Sequence, residues 1–313
     1  MSLYLGIDTS NYTSSVGVYD SITNDCQNHK QLLAVADGQL GLRQSEAVFS
    51  HVKNLPAIIK DVFYKLDENV SAVGVSVKPR DVEGSYMPCF LVGELAASSI
   101  AYSNNIQLYR FSHQAGHIAA ALYSSNRFDL FDKKLVAFHV SGGTTEAVMV
   151  TPDKDEVFRC EIIARSMDLK FGQAIDRLGN KMGLPFPSGK MIDELARKGE
   201  LTHKVKVSLK DGNCNASGIE NIFSKMLLEN ETYENVARFT IEYIMKTLEK
   251  MTEEIILKYG DLPLVFAGGV MSNSIISENF KKKFNANFAT PEFSSDNACG
   301  AAVLAYLKKE SVI

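Results

Sequence analysis

A chain of 313 residues, 45% hydrophobic and 22% charged, has the balance of a globular protein and the length for two ordinary domains, which excludes a single small domain and a disordered or fibrous chain. The net charge of -4 gives no global attraction to nucleic acid, so any RNA contact must be local or shared, and the one dense basic run, Lys281 to Lys283, suits the solvated end of a helix. The five cysteines, Cys26, Cys89, Cys160, Cys214 and Cys299, show no C-x-x-C spacing, and their odd number argues against a disulfide framework, so reduced thiols are expected.

The opening stretch MSLYLGIDTSNYTSS has no basic n-region, and no apolar run anywhere reaches the roughly 18 residues of a membrane span, so a cytosolic chain with no membrane contact is expected. Tyr4 to Ile7 is an apolar run that ends in Asp8, Thr9 and Ser10, and Ser15 to Tyr19 resumes it, which predicts a β-hairpin with a polar tip. Residues 43 to 66 carry apolar side chains at helical spacing, and Ala72 to Val77 returns to a β-branched pattern. Phe90 to Tyr102 reads as helix, Ile106 to Phe111 as strand, and His113 to Tyr123 as helix.

A second hairpin runs from Leu135 to Val150, LVAFHVSGGTTEAVMV, with Ser141, Gly142, Gly143 and Thr144 at its turn. It echoes the first, as a duplicated domain would. From Asp168 onward the chain is mostly helical and polar, interrupted by the loop GLPFPSG at 183–189. A late strand, Leu264 to Ala267, runs into Gly268, Gly269 and a helix starting near Ser272 or Asn273, and an alanine-rich helix over 298–308 closes the chain. The alternation of strands and helices is that of an α/β protein, divided into an N-terminal domain over 1–130 and a C-terminal domain over 131–313 with a helical insertion.

Three hydroxyl- or glycine-bearing turns follow buried strands: Asp8-Thr9-Ser10, Ser141-Gly142-Gly143-Thr144 and Gly268-Gly269. Such turns bring backbone N–H groups close to a phosphate, although glycine also solves ordinary backbone geometry. His113 and His117 lie four apart, so on a helix both rings leave one face, as two ligands of one metal would, or as two packing histidines. The residue after His113 is Gln114, so the glutamate general base of an H-E-x-x-H peptidase is absent. Asp296 stands where a helix N-cap would fall, and His139 interrupts an apolar strand on the same face as Ser141.

The segments GIDTS with VGVYD, SEAVFSHVKNLPAII, SHQAGHIAAAL, VSGGTTEAV, FGQAIDRLGNKMGLPFPSG, AGGVMSN and SSDNACGAA resemble, in order and spacing, the tRNA threonylcarbamoyladenosine transferase family, TsaD in bacteria, formerly described as O-sialoglycoprotein endopeptidases or glycoproteases. The resemblance implies the actin, sugar-kinase and heat-shock ATPase fold, with a ligand cleft between two similar domains. It implies a divalent metal, iron or zinc, on His113, His117 and Asp296, with His139 as a fourth ligand. It places ATP or an adenylate against His139, Val140, Ser141, Gly142, Gly143, Asp176, Gly189, Asp193 and Asn273. Asp8 is the candidate for a catalytic role. The implied reaction transfers threonylcarbamoyl from its adenylate to adenosine in tRNA, with an actin-type partner subunit and an ATPase partner.

Four motifs depart from the family pattern. Asn11 and Tyr12 stand where acidic residues are usual, SGGTTEA replaces S-G-G-H-T-Q, FPSGK replaces Y-P-G-G-P, and KPRDVEGSYMPCF replaces G-P-G-L. A divergent paralogue is expected. Two further readings follow from these departures: a nucleotide- and metal-binding regulatory or scaffold subunit, and a carbamoyl or phosphoryl transferase with another acceptor. The metallopeptidase reading ranks last.

Overall fold

The computed structural model describes residues 2–10, 12–34, 42–284 and 286–311. Leu3–Asp8 (β1), buried from Tyr4 onward, turns back through Thr13–Asp20 (β2), and Asp25–Leu32 (β3) adds an outer strand. The helix Gln44–Phe63 (α1) buries Ala47, His51, Leu55, Ile58 and Val62, a stripe at spacings of three and four. Val70–Lys78 (β4), the helix Phe90–Ser103 (α2), Gln107–Ser112 (β5) and the helix His113–Ser124 (α3) follow. The five strands form one sheet in the order β3-β2-β1-β4-β5, with β1 parallel to β4, β4 parallel to β5, and the β1-β2-β3 ribbon antiparallel.

The second sheet repeats this plan. Leu135–Val140 (β6), Thr145–Asp153 (β7) and Val157–Arg165 (β8) lead into four helices, Phe171–Lys181 (α4), Gly189–Lys198 (α5), Gly218–Leu228 (α6) and Tyr233–Tyr259 (α7). Leu264–Ala267 (β9), the helix Ser274–Phe284 (α8) and Asn287–Phe288 (β10) complete it, in the order β10-β9-β6-β7-β8. One face of this sheet feeds an apolar core in which the rings of Phe138 and Phe266 stack at 4.7 Å and Phe280 meets Phe266 edge-on at 5.1 Å.

Two compact units result, one of Met1–Lys133, Thr151–Cys160 and Glu292–Ile313, the other of Lys134–Val150 and Glu161–Pro291. This differs from a division into contiguous halves at residue 130. The last helix, Cys299–Lys309 (α9), belongs to the first unit, because its small residues lie directly on the first sheet. A Cβ on Gly6, Gly17 or Gly74 would run into the α9 backbone at Ala298, Cys299 or Ala301, so the sheet is glycine-bearing where the helix touches it.

The strand β3 breaks expectation, since DCQNHKQL has no apolar alternation. So does its cysteine: Cys26 on β3 and Cys299 at the start of α9 are joined as a disulfide, Cα to Cα 6.1 Å. Partners 273 residues apart meet only because α9 returns to the first sheet, which the spacing of cysteines along the chain does not reveal. Among the described residues no helix is long and apolar enough to cross a membrane.

Candidate metal centre and nucleotide site

The metal candidates are assembled by two helices of the first unit. Ser112 caps α3: its hydroxyl accepts from the Ala115 N–H (3.1 Å) and donates to Asp81 (2.7 Å), which puts His113 in the first helical position and His117 one turn later on the same face. The helices α3 and α9 cross where Gly300 meets the Gly116 carbonyl so closely that a Cβ on Gly300 would overlap it. This contact brings Asp296, three residues ahead of α9, to the two histidines. Asp296 is not the N-cap of that helix, a place taken by Ala298.

The candidate ligand atoms gather closely enough to hold one ion. His113 Nε2 and His117 Nε2 are 2.9 Å apart, and Asp296 Oδ1 lies 3.6 Å from the first and 3.3 Å from the second. Ligands about 2.0–2.2 Å from a tetrahedral ion sit roughly 3.3–3.6 Å from one another, a spacing that the two Asp296 distances meet, while the two imidazoles stand at the closer hydrogen-bonding distance. Among the described residues, His113, His117 and Asp296 are the only group of three or more candidate donors gathered in this way.

Behind this set stands Asp8, whose role the sequence leaves open. Its Oδ2 lies 2.8 Å from His113 Nδ1, and its Oδ1 accepts from the Ser10 N–H at 2.8 Å. A carboxylate on the far nitrogen of a ligand imidazole fixes the ring and its tautomer and turns Nε2 toward the ion. Burial pushes the Asp8 carboxyl up, but the charge of His113 and hydrogen bonds from His113, Ser10 and Ser76 outweigh it and hold the group below its ordinary value. Burial pulls His113 down, yet Asp8 and Asp296 together raise it to about 10. Asp296, pushed up by burial, is brought well below the carboxylate range by hydrogen bonds from His113 and His117.

The first turn is already engaged in holding the fold. Thr9 donates its hydroxyl to the Cys89 carbonyl (2.9 Å) and accepts from the Gly93 N–H (3.0 Å), tying β1 to the start of α2. Of the two departures beside it, Asn11 lies outside the described residues, and the Tyr12 carbonyl accepts from the Leu33 N–H at 2.8 Å.

The nucleotide candidates all lie in the second unit. At the β6-β7 turn, Ser141 N–H donates to the Thr144 carbonyl (2.7 Å) and the Ser141 hydroxyl accepts from Thr144 N–H (3.2 Å). The first turn of α4 closes on it, with Gly172 N–H on the Ser141 carbonyl (3.2 Å) and Phe171 N–H on the Thr145 hydroxyl (3.0 Å). On α4, Asp176 accepts from Ser188 N–H (2.9 Å) just ahead of Gly189, and burial raises its carboxyl. On α5, Asp193 accepts from the Asn273 side chain (2.9 Å) and from the Ser274 hydroxyl (2.8 Å). Ser141, Asp176, Gly189, Asp193 and Asn273 are therefore linked through α4 and α5 by hydrogen bonds. Val140 is buried, and His139 stands on the other face of β6, opposite Glu146 of β7.

Two kinds of glycine occur here. A Cβ on Gly172 would strike the Ser141-Gly142 backbone, and Gly268, at φ 98°, would strike Val140, so both are demanded by the protein itself. Gly142, Gly143 and Gly189 have neither constraint: among the described residues, a Cβ on any of them would meet nothing within 4 Å. Bare backbone beside open space suits close approach by a ligand. Sequence reasoning missed Gly172, Thr145 and Ser274. It also missed Asp81, which acts on Ser112, although a serine immediately before H-x-x-x-H is itself a legible cap signal.

The repeated sheet order with flanking helices defines a protein of the actin-like ATPase fold. Solved structures share it over nearly the whole chain: (R)-2-hydroxyglutaryl-CoA dehydratase component A of Acidaminococcus fermentans (TM-score 0.57, 14% identity, 100% of both chains) and full-length HypF in its phosphate- and nucleotide-bound form (TM-score 0.60, 11% identity, 99% of this chain and 55% of that one). Within that fold, residues 35–303 match the model of the tRNA N6-adenosine threonylcarbamoyltransferase family, and the chain belongs to that family. Relatives bearing this name include those of Streptococcus suis (30% identical over 293 residues, 88% of this chain and 82% of the relative) and Archaeoglobus fulgidus (27% over 314 residues, 96% and 89%). That of Campylobacter jejuni is 29% identical over 334 residues, covering 99% and 94%.

Proposed function

We propose that the chain is a metal- and nucleotide-dependent transferase that moves threonylcarbamoyl from its adenylate to the adenine N6 amine of tRNA. The observation that carries this reading is the ligand spacing of His113, His117 and Asp296 in a chain of this family. These three residues would hold iron or zinc, with Asp8 fixing the His113 ring and His139 as the fourth ligand. The bound ion would act as a Lewis acid and template for the oxygens of the carbamoyl or phosphate group. The backbone of Ser141, Gly142 and Gly143 receives the adenylate phosphate, and Asp176, Gly189, Asp193 and Asn273 fix the nucleoside. Held so, the carbamoyl carbonyl is open to the amine, the new C–N bond forms, and AMP leaves.

An actin-type partner subunit and an ATPase partner, acting with the chain in the cytoplasm, belong to the same reading. A second reading, transfer to another acceptor, draws on the substituted segment 78–90: its Asp81 is bonded to the cap of the metal helix, so the substitution reaches the reacting region. A nucleotide-binding scaffold without turnover is the third.

The experiment supplies threonylcarbamoyl-adenylate, unmodified tRNA and the purified chain with candidate partners, and reads modified adenosine by mass spectrometry. Threonylcarbamoyladenosine is the expected product. None formed, where another family member succeeds, overturns the tRNA reading. ATP binding without product then favours the scaffold, and turnover of a small-molecule acceptor favours the second reading.

A further inference from the structure

The outer strand β3 carries little of the apolar core, yet its alternate residues Cys26, Asn28 and Lys30, which share one face, all engage the segment that holds Asp296. Lys30 Nζ donates to the Ser295 hydroxyl at 3.0 Å, the Ala298 N–H donates to Asn28 Oδ1 at 3.3 Å, and Cys26 is bonded to Cys299. Ser295 and Ala298 bracket the metal ligand. The polar ties are weak: the Lys30 contact is exposed to solvent, and among the described residues the buried Asn28 Nδ2 and Asn297 Oδ1 have no hydrogen-bond partner. The covalent bond between two buried cysteines is the strongest link in the strap.

We propose that β3 is a positioning strap for Asp296, and that the Cys26–Cys299 bond makes the metal affinity of the His113, His117 and Asp296 set depend on redox state. This rests on the metal reading above. The crossing of α3 and α9 sets Asp296 beside the two histidines, the ties to β3 hold the segment ahead of α9 in that place, and cutting the covalent one loosens the carboxylate in the set. The chemistry is thiol–disulfide exchange with a dithiol. One thiolate of the reductant attacks Sγ of Cys26, the less deeply buried partner, and displaces the Cys299 thiolate. The second thiol attacks the mixed disulfide and closes the reductant into its own disulfide, so two electrons and two protons pass to the protein and free Cys26 and Cys299.

The test is a zinc and an iron(II) titration by chelator competition, under anaerobic conditions, on the oxidised chain and on dithiol-treated chain freed of reductant by desalting. Thiols counted after denaturation define the two states, the reduced chain carrying two more than the oxidised one. Reduction is expected to weaken metal binding about tenfold, the lower range for loss of an outer-shell support. Cys26→Ser is expected to show the weaker affinity and no further response to dithiol. Lys30→Met is expected to lower affinity by a smaller factor in either state. Equal affinities in the oxidised and reduced states overturn the proposal, as does a Cys26→Ser chain that still responds to dithiol, or no gain of thiols on reduction. No metal bound in either state removes the metal reading itself, and this inference with it.

Discussion

The two units repeat one sheet order, yet they end their equivalent hairpins differently. In the first unit β1 ends in a buried carboxylate, Asp8, which is committed to His113, while the neighbouring Thr9 hydroxyl is committed to α2. In the second, β6 runs into Ser141 and two glycines whose Cα positions face open space among the described residues. A duplicated fold therefore places strand ends alike, and the side chains at those ends divide the chemistry: a charged, closed ligand set in one unit, a bare backbone turn in the other.

The sharpest break in this division should come from the helix crossing that builds the charged set. Gly300→Val would force α3 and α9 apart, costing about 3 kcal/mol or more of stability and separating Asp296 from the histidines. Thermal unfolding together with metal content checks both effects. Asp8→Asn tests the charged unit without disturbing its packing, and metal affinity should fall roughly 10- to 100-fold as the His113 ring loses its anionic partner. Unchanged affinity in a competition titration would reduce Asp8 to a structural residue.

In the second unit the contrast lies between two glycines. Gly172→Ala should destabilise the chain by about 1–3 kcal/mol, because its Cβ meets the Ser141-Gly142 backbone. Gly142→Ala should change stability by less than about 0.5 kcal/mol and weaken nucleotide binding instead. Urea titration and nucleotide calorimetry on the pair separate a packing glycine from a binding one.

Smallest is a pH effect, and it has opposite signs in the two units. In metal-stripped protein the raised His113 contributes stability that is complete below its ordinary 6.5 and lost as pH rises through about 10. The lowered Asp8 and Asp296 contribute stability that is complete above their ordinary 3.8 and lost as pH falls through their depressed values. The charged set is therefore fully stabilising from about pH 4 to 6.5. Asp176, raised by burial, instead disfavours the folded state once it ionises, so Asp176→Asn should slightly stabilise the chain at neutral pH. Denaturation midpoints across pH, with metal removed, show whether the two trends separate.

How much of this was legible in the sequence follows from what each segment packs against. Helix α1 is legible as a stripe at spacings of three and four because it buries one face, whereas α3 and β9 read as continuous apolar runs because nearly every residue in them is buried. Strand β3 gives no such signal, because its inward face meets Ser295, Ala298 and Cys299 one by one rather than an apolar layer. His113 and His117 are visible as an i, i+4 pair, and the family pattern adds Asp296. Asp8 as the support of His113 is not visible, since 105 residues separate them and only the fold brings them together. The return of residues 292–313 to the first unit is hidden for the same reason, and the cysteine pairing with it.

The most direct test is a stoichiometric titration of zinc or iron(II) into the metal-stripped chain and its His113→Ala/His117→Ala double variant, with folding of both checked by circular dichroism. One ion per chain in the wild type, and none in the folded double variant, is the predicted result. Binding of equal stoichiometry and affinity in the two would contradict a metal centre built on this helix.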